Sequence, residues 1–182
     1  MNLKLDYCSH EAAKFAVMNW HYSQRMPAGK LLKYGVWEND KFIGAILFGR
    51  GANNNAHKSL GVKVTECCEL VRVALKNGHK NPTTKIIAIA LRLLKKDNKG
   101  IRVIFSYADE TNQGHKGVIY KAGNWEYLGT RTTNKGAYYY VNGKKMHGRS
   151  VRAKWGSHKN VPHSCVEAPP ETKHLFIYKM RQ

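Results

Sequence analysis

The sequence predicts an α/β fold, a mixed central sheet flanked by helices, and three observations carry that expectation. Ile101 to Tyr107 is apolar but for Arg102 and Ser106, with Val103-Ile104-Phe105 unbroken at its centre, the pattern of a strand covered on both faces of a sheet. From about Thr83 to Lys96, Ile87, Ala90, Leu91 and Leu94 form a helical stripe that Ile86, Ile89 and Leu93 widen until the helix is nearly apolar all round and has to be sandwiched. Strand-like and helical runs alternate along the rest of the chain with no internal repeat and no linker, so the 182 residues read as a single domain, 1–182.

Taken in order, Leu3 to Tyr7 alternates as a strand does. Ser9 then caps a helix with Glu11 in its first turn and Ala12, Phe15, Ala16 and Trp20 as its apolar positions. The Met26-Pro27-Ala28-Gly29 turn ends it. Leu31 to Trp37 and Phe42 to Phe48 are strands joined through Glu38-Asn39-Asp40-Lys41 as a hairpin. Arg50 to Leu60, rich in Gly and Asn, reads as a loop, and Glu69 to Leu75 as the next strand. The turn Asn77 to Pro82 delivers the apolar helix. After the buried strand come a polar loop from Asp109 to Gln113, a short helix from Gly114 to Ala122, a strand from Trp125 to Thr132 and a last strand from Leu175 to Lys179.

Charge points to a polyanionic partner. The chain holds 31 Lys and Arg against 12 Asp and Glu, a net charge of +19, and the forty residues from Tyr127 to Val166 contain no acidic residue. Arg131, Lys135, Lys144, Lys145, Arg149, Arg152, Lys154 and Lys159 are interleaved there with Tyr138, Tyr139, Tyr140 and Trp155. Cations neutralise phosphates and release counterions, and aromatic rings stack on bases. A solvated basic face, an anionic membrane surface and ribosomal packing are the competing readings.

A hydrophobic content of 42% supports a core, which excludes a disordered basic tail. Cys8, Cys67, Cys68 and Cys165 form no C-x-x-C pair, as expected of a reducing cytoplasm. The first residues contain no apolar signal-type region, and no run approaches the roughly eighteen apolar residues of a membrane span, so the expectation is a soluble, unexported protein. The His-x-Glu and Pro-Cys-x-x-Cys motifs of a zinc deaminase do not occur. Asn81-Pro82-Thr83-Thr84 is only a faint echo of the catalytic motif of adenine methyltransferases.

Several residues are candidates for chemistry. Ser106, Tyr107 and Asp109 stand where a buried strand gives way to a loop, the end of a sheet strand at which α/β folds bind ligands. Gly114 and Gly117 bracket His115 at a helix start, where backbone N–H groups could meet an anion or a developing oxyanion. Asp109 or Glu110 could equally supply favourable charge to that helix. Glu69 and Arg72, three apart on a strand, are expected on opposite faces. His21 is a candidate base or metal ligand, against the plainer reading of a surface histidine. His57, His147, His158 and His163 fall in basic loops and read as part of the polyanion surface.

The order of elements is that of an acyltransferase of the GNAT kind, and the motifs sharpen this from Glu69 onward. Glu69-Leu70-Val71-Arg72, Asn81 with Thr84, Ser106-Tyr107-Ala108-Asp109, the stretch Gly114 to Ala122 and Asn124-Trp125-Glu126-Tyr127-Leu128-Gly129 resemble the phage Mom family. Upstream, His21-Tyr22-Ser23 with Pro27, Gly29 and Lys30 resembles its N-terminal block, and Lys173 to Tyr178 its last strand. The resemblance implies a GNAT-like fold and conversion of adenine in DNA to its carbamoylmethyl form, which shields phage DNA from restriction in the host cytoplasm.

It also implies roles. Asp109 orients or deprotonates the acceptor, Tyr120 acts as acid toward the leaving group, and His21 or Glu69 lies near a flipped base. Arg72, Asn81, Thr84, Ser106, His115 and Gly117 fall to the donor side. By the charge pattern, Arg131, Lys144, Lys145, Arg149, Arg152 and Lys154, together with Tyr22, are expected to contact double-stranded DNA. Tyr120 could instead be a packed aromatic with a wet hydroxyl.

One departure stands out. GNAT enzymes that bind coenzyme A usually present an Arg/Gln-x-x-Gly-x-Gly/Ala turn to the pyrophosphate, whereas this turn is Lys76-Asn77-Gly78-His79-Lys80-Asn81-Pro82. The carbamoylmethyl product implied by the resemblance holds the atoms of a glycyl group, including a nitrogen that an acetyl group would not bring. With the off-pattern turn and the excess of basic surface, a glycyl donor such as glycyl-tRNA is expected ahead of acetyl-coenzyme A, and tRNA as a second nucleic-acid partner. The rival functions are an N-acetyltransferase acting on a protein amine and a non-catalytic basic nucleic-acid-binding module.

Overall fold

A computed structural model describes residues 2–51, 53 and 55–180. Its elements are β1 (Leu3–Tyr7), α1 (His10–Trp20), β2 (Leu31–Glu38), β3 (Lys41–Gly49), α2 (Ala56–Ser59), β4 (Cys67–Leu75), α3 (Thr83–Asp97), β5 (Val103–Asp109), α4 (Glu110–Gln113), α5 (Val118–Lys121), β6 (Glu126–Thr132), β7 (Tyr138–Val141), β8 (Lys144–His147), α6 (Gly148–Trp155), a 3₁₀ turn (His158–Asn160), β9 (Cys165–Glu167) and β10 (Thr172–Lys179). Seven strands form a mixed sheet in the order β1-β2-β3-β4-β5-β10-β6, and three form a small sheet in the order β8-β7-β9. Strands β1 to β4 pair antiparallel in succession, while β4 and β5 pair parallel. No helix among the described residues is long and apolar enough to cross a membrane.

The chain forms two compact units. The first comprises Met1–Tyr107, Gly117–Leu128 and Leu175–Gln182; the second, Ala108–Lys116 and Gly129–His174.

In the first unit, Ser9 caps α1 by accepting from the Ala12 N–H at 3.1 Å. The face of α1 that meets the sheet is Ala13, Ala16 and Val17, all fully buried against Ala45, Leu47 and Ala74. Small side chains let the helix lie close, and this displaces Phe15 from the expected stripe. Phe15 is 52% exposed and packs edge-on against Trp20 at 5.2 Å. On α3 the buried side is Ile86, Ile87, Ala90, Leu91 and Leu94, with Ile89 and Leu93 half-buried. The helix is covered along one side rather than sandwiched. The Arg50 to Leu60 stretch, expected as loop, contains the single turn α2.

The expected helix from Gly114 to Ala122 is shorter. Gly114, left-handed at φ 63°, closes α4, and the helix proper begins after Gly117, left-handed at φ 74°. A Cβ on Gly117 would lie 2.2 Å from the Phe176 ring, so the chain needs glycine there for both conformation and space. Gly117→Ala is expected to cost roughly 2–5 kcal/mol by overpacking and left-handed strain, read as a lowered midpoint in thermal unfolding.

The second unit gives structure to the cationic segment, in which the sequence showed no elements beyond Thr132. Asn142 and Gly143, both left-handed, turn β7 into β8 as a tight hairpin. Val151 of α6 is fully buried against Tyr139 and Val141, with Met146, Trp155, Val161 and Cys165 around them. The His147 ring caps α6 by accepting from the Arg149 N–H at 3.0 Å. Burial, then the charges of Arg149 and Arg152, holds the His147 pKa below the usual imidazole value, as a neutral cap requires.

Candidate active site at the fork of β4 and β5

The parallel ladder of β4 and β5 has three registers, Cys67↔Val103, Cys68↔Ile104 and Glu69↔Phe105. Both strands then continue without pairing to each other, β4 through Leu75 and β5 through Asp109. Ser106, the first residue past the last pair on β5, donates its hydroxyl to the Leu70 carbonyl, the first past it on β4, at 2.8 Å. The Tyr120 hydroxyl lies 2.8 Å from the same Ser106 Oγ. With the serine proton committed to Leu70, Tyr120 is the donor in that pair.

The fork is dry around these groups. Ser106 is 1% exposed and Tyr120 7%. The Tyr120 ring stacks on Phe176 at 5.1 Å and meets Trp125 at 5.1 Å. Burial pushes its pKa up to about 12, against the lowering effect of the Ser106 hydrogen bond, so the hydroxyl carries its proton at neutral pH.

A bulge in β4 shapes the neighbouring surface. Leu70 pairs with Phe48 and Arg72 with Leu47, leaving Val71 as an extra residue. The expectation that Glu69 and Arg72 face opposite ways is corrected by this bulge, because the inserted residue shifts the alternation and puts both on the face shared with Gly49 and Leu47. Arg72 donates from Nη1 to the Val71 carbonyl and from Nε and Nη2 to the Arg25 carbonyl, so it clamps the bulge to the chain after α1. Burial lowers its pKa, with Tyr22 and Glu69 acting in the opposite sense. A Cβ on Gly51 would fall 1.7 Å from Glu69 Oε2, so glycine admits that carboxylate against the backbone. Tyr22 and Glu69 also act electrostatically on Tyr120. Tyr22, Glu69, Arg72, Ser106 and Tyr120 thus form one neighbourhood.

His21, 9% exposed, follows α1 and accepts from the Ser23 N–H at Nδ1, at 3.1 Å. Its ring packs on Tyr22 at 4.2 Å. Among the described residues no three His, Cys, Asp or Glu side chains gather as a metal set.

Beside the fork, α3 and α5 border a cleft of about 570 Å³, lined by Thr84, Lys85, Ala88, Ile119, Trp125 and Tyr178 among others. Thr84, expected on the donor side, is among its lining residues. Asn81 is directed elsewhere: its amide donates to Glu38 Oε1 at 2.8 Å and its carbonyl oxygen accepts from Lys85 Nζ at 3.1 Å. Glu38 also accepts from the backbone N–H groups of Lys80 and Asn81. The Lys80 and Asn81 N–H groups of this turn are thus engaged by a carboxylate of the protein itself. The sequence hid this, since an acidic residue in a hairpin reads as surface.

Asp109 and His115 belong to the second unit. Asp109 caps α4, accepting from the Asn112 N–H at 3.0 Å and from the Asn112 side chain. The exposed His115 donates its N–H to the Asp109 carbonyl at 3.1 Å. Arg131, Lys144, Arg149, Arg152 and Lys154 are exposed, and Lys154 lies over the Trp155 ring at 4.7 Å. Lys145 differs. It pairs with buried Glu171, donates to Asn112 Oδ1 at 2.9 Å and sits over the Tyr138 ring at 5.2 Å, so its charge is spent inside the unit.

Solved structures share this architecture. Arabidopsis thaliana NAA60, in complex with a bisubstrate analogue, matches with a TM-score of 0.60 and 10% identity over 99% of this chain and 100% of that one. An N-acetyltransferase from Staphylococcus aureus Mu50 matches at 0.55 and 14%, over 98% of each chain. A Bacillus subtilis acetyltransferase in complex with CoA matches at 0.52 and 10%, over 99% of each. At these identities the likeness establishes the GNAT fold. No curated protein matches the chain. Residues 2–180 match the Mom protein family. The match spans the forked sheet and the basic segment alike, and the chain belongs to the Mom protein family.

Proposed function

We propose that this protein modifies adenine in DNA by transferring an acyl group to its exocyclic amine, giving the carbamoylmethyl base and protecting phage DNA from host restriction. The observation that carries the reading is the buried Tyr120–Ser106–Leu70 chain at the fork, in a chain of this family. A tyrosine that keeps its proton at neutral pH can give it to a departing oxygen or sulfur, and Ser106 can follow by turning its own proton from Leu70 to Tyr120. The adenine amine is a weak nucleophile because its lone pair is delocalised into the ring, so positioning and polarisation supply the rate. Within a duplex that amine also has to be extruded to react.

The donor is read as a glycyl ester, glycyl-tRNA. The adenine amine attacks the ester carbonyl, the tRNA hydroxyl leaves with a proton, and an amide forms. The glycyl nitrogen then attacks the ring carbon that bears the amide nitrogen, and the bond from that carbon to the original nitrogen breaks. The product carries CH₂C(O)NH₂ on the glycine nitrogen, and the former adenine nitrogen has become the terminal amide. All atoms are accounted for without an oxidant. An acetyl group would bring no nitrogen. The exposed cations of the second unit suit both nucleic acids.

The test is the nucleoside mass of DNA from cells expressing the chain. Deoxyadenosine heavier by one carbamoylmethyl group is expected, absent with empty vector. Unmodified adenine in the presence of folded protein contradicts the reading.

A further inference from the structure

The turn between β4 and α3 carries a built-in anion. Glu38, the last residue of β2, is 8% exposed, and its carboxylate accepts from the Lys80 N–H at 3.1 Å and the Asn81 N–H at 2.7 Å, and from the Asn81 amide at 2.8 Å. Around it the network closes on itself. Lys85 Nζ donates to Asn81 Oδ1 at 3.1 Å, and the His79 ring reaches the Asn81 carbonyl at 2.7 Å. The strand ladder fixes the position of Glu38, which pairs with Leu3 on one side and Lys41 on the other. A carboxylate so held is not a mobile surface charge.

We propose that Glu38 is a specificity residue that fills the anion cradle of this turn and so excludes a donor anchored there by a pyrophosphate. It rests on the reading of the first unit as the donor half of an acyltransferase. An entering pyrophosphate would have to strip the carboxylate from its donors and would meet its negative charge in a buried site, where like charges repel strongly. Burial tends to raise the Glu38 pKa, and the donors from Asn81 and Lys80 outweigh it and hold the carboxyl below its ordinary value, so the anion persists at neutral pH. The donor is thereby left to bind through its other parts. The cleft beside α3 offers the rings of Trp125 and Tyr178 with the polar groups of Thr84, Lys85 and Glu126, stacking surfaces and hydrogen-bonding partners that suit a nucleoside end of a polynucleotide.

The experiment is an amide-resolved NMR titration of the whole protein with coenzyme A and, separately, inorganic pyrophosphate. In the wild type the Lys80 and Asn81 amides are expected to stay in place with both probes. In Glu38→Gln, which keeps size and removes charge, pyrophosphate is expected to move them saturably, with affinity gained roughly tenfold or more. Saturable movement of those amides by coenzyme A in the wild type overturns the proposal, and so does a folded Glu38→Gln protein that gains no pyrophosphate affinity. The wild-type titration decides alone if the variant does not fold. Nucleoside mass reads the acceptor reaction and not this turn, so failure of the proposal and failure of the functional reading are distinguishable.

Discussion

Tyr120→Phe is expected to lower adenine modification by about a hundredfold or more, the usual loss when a general acid is removed. The substitution keeps the ring that stacks on Phe176 and Trp125, so folding and DNA binding should hold. Ser106→Ala separates a proton relay from simple packing. It frees the Tyr120 hydroxyl and strands the Leu70 carbonyl, so it should slow the reaction less than Tyr120→Phe and shift its pH profile. Nucleoside mass spectrometry of DNA from cells with matched protein levels reads each variant, and near wild-type modification by Tyr120→Phe returns that tyrosine to a packing role. Asp109→Asn poses the same question in the second unit. Asparagine caps a helix as well as aspartate does, so the α4 cap survives while the carboxylate is lost. A loss of similar size is expected if the carboxylate handles a proton of the acceptor, and unchanged modification would leave Asp109 as a cap.

Neutralising Lys144, Arg149, Arg152 and Lys154 together is expected to reduce the salt dependence of DNA binding by about one unit of log–log slope for each phosphate that no longer meets a cation. With roughly six to ten phosphates neutralised, wild-type affinity should fall roughly a thousandfold between low and moderate salt, and the quadruple variant much less. Lys145→Gln is the contrasting case. Because Lys145 is paired with buried Glu171, its removal should lower the unfolding temperature and leave the slope nearly unchanged. Binding isotherms across a salt series check both. An unaltered slope in the quadruple variant would remove this face as the DNA surface.

The α/β class and the GNAT order were legible because buried strands and caps leave local marks, the largely apolar stretch at Ile101 to Tyr107 and Ser9 before α1, and the family was legible in short motifs such as Ser106-Tyr107-Ala108-Asp109. What the sequence hid depends on distant partners. The bulge at Val71 is a property of the pairing of β4 with β3, and no residue in β4 announces it, so the facing of Glu69 and Arg72 came out reversed. Phe15 misled because the sheet selects small side chains on α1, which no periodicity records. The hairpin and α6 of the second unit were obscured by charge, although Asn142-Gly143 is a strong turn signal in its own right. Glu38 could not be found by motif, since it acts across 43 residues on Asn81.

In the proposed reaction the group added to adenine is a glycyl unit, rearranged. Cells expressing the chain and fed glycine labelled at its nitrogen and its alpha carbon provide the most direct measurement, with fragmentation of the modified nucleoside locating each label. Both labels are predicted in the carbamoylmethyl adenine, with the labelled nitrogen bonded to the ring. Modified adenine that carries neither label, or modification of DNA by purified protein with acetyl-coenzyme A and no tRNA, would contradict the glycyl route.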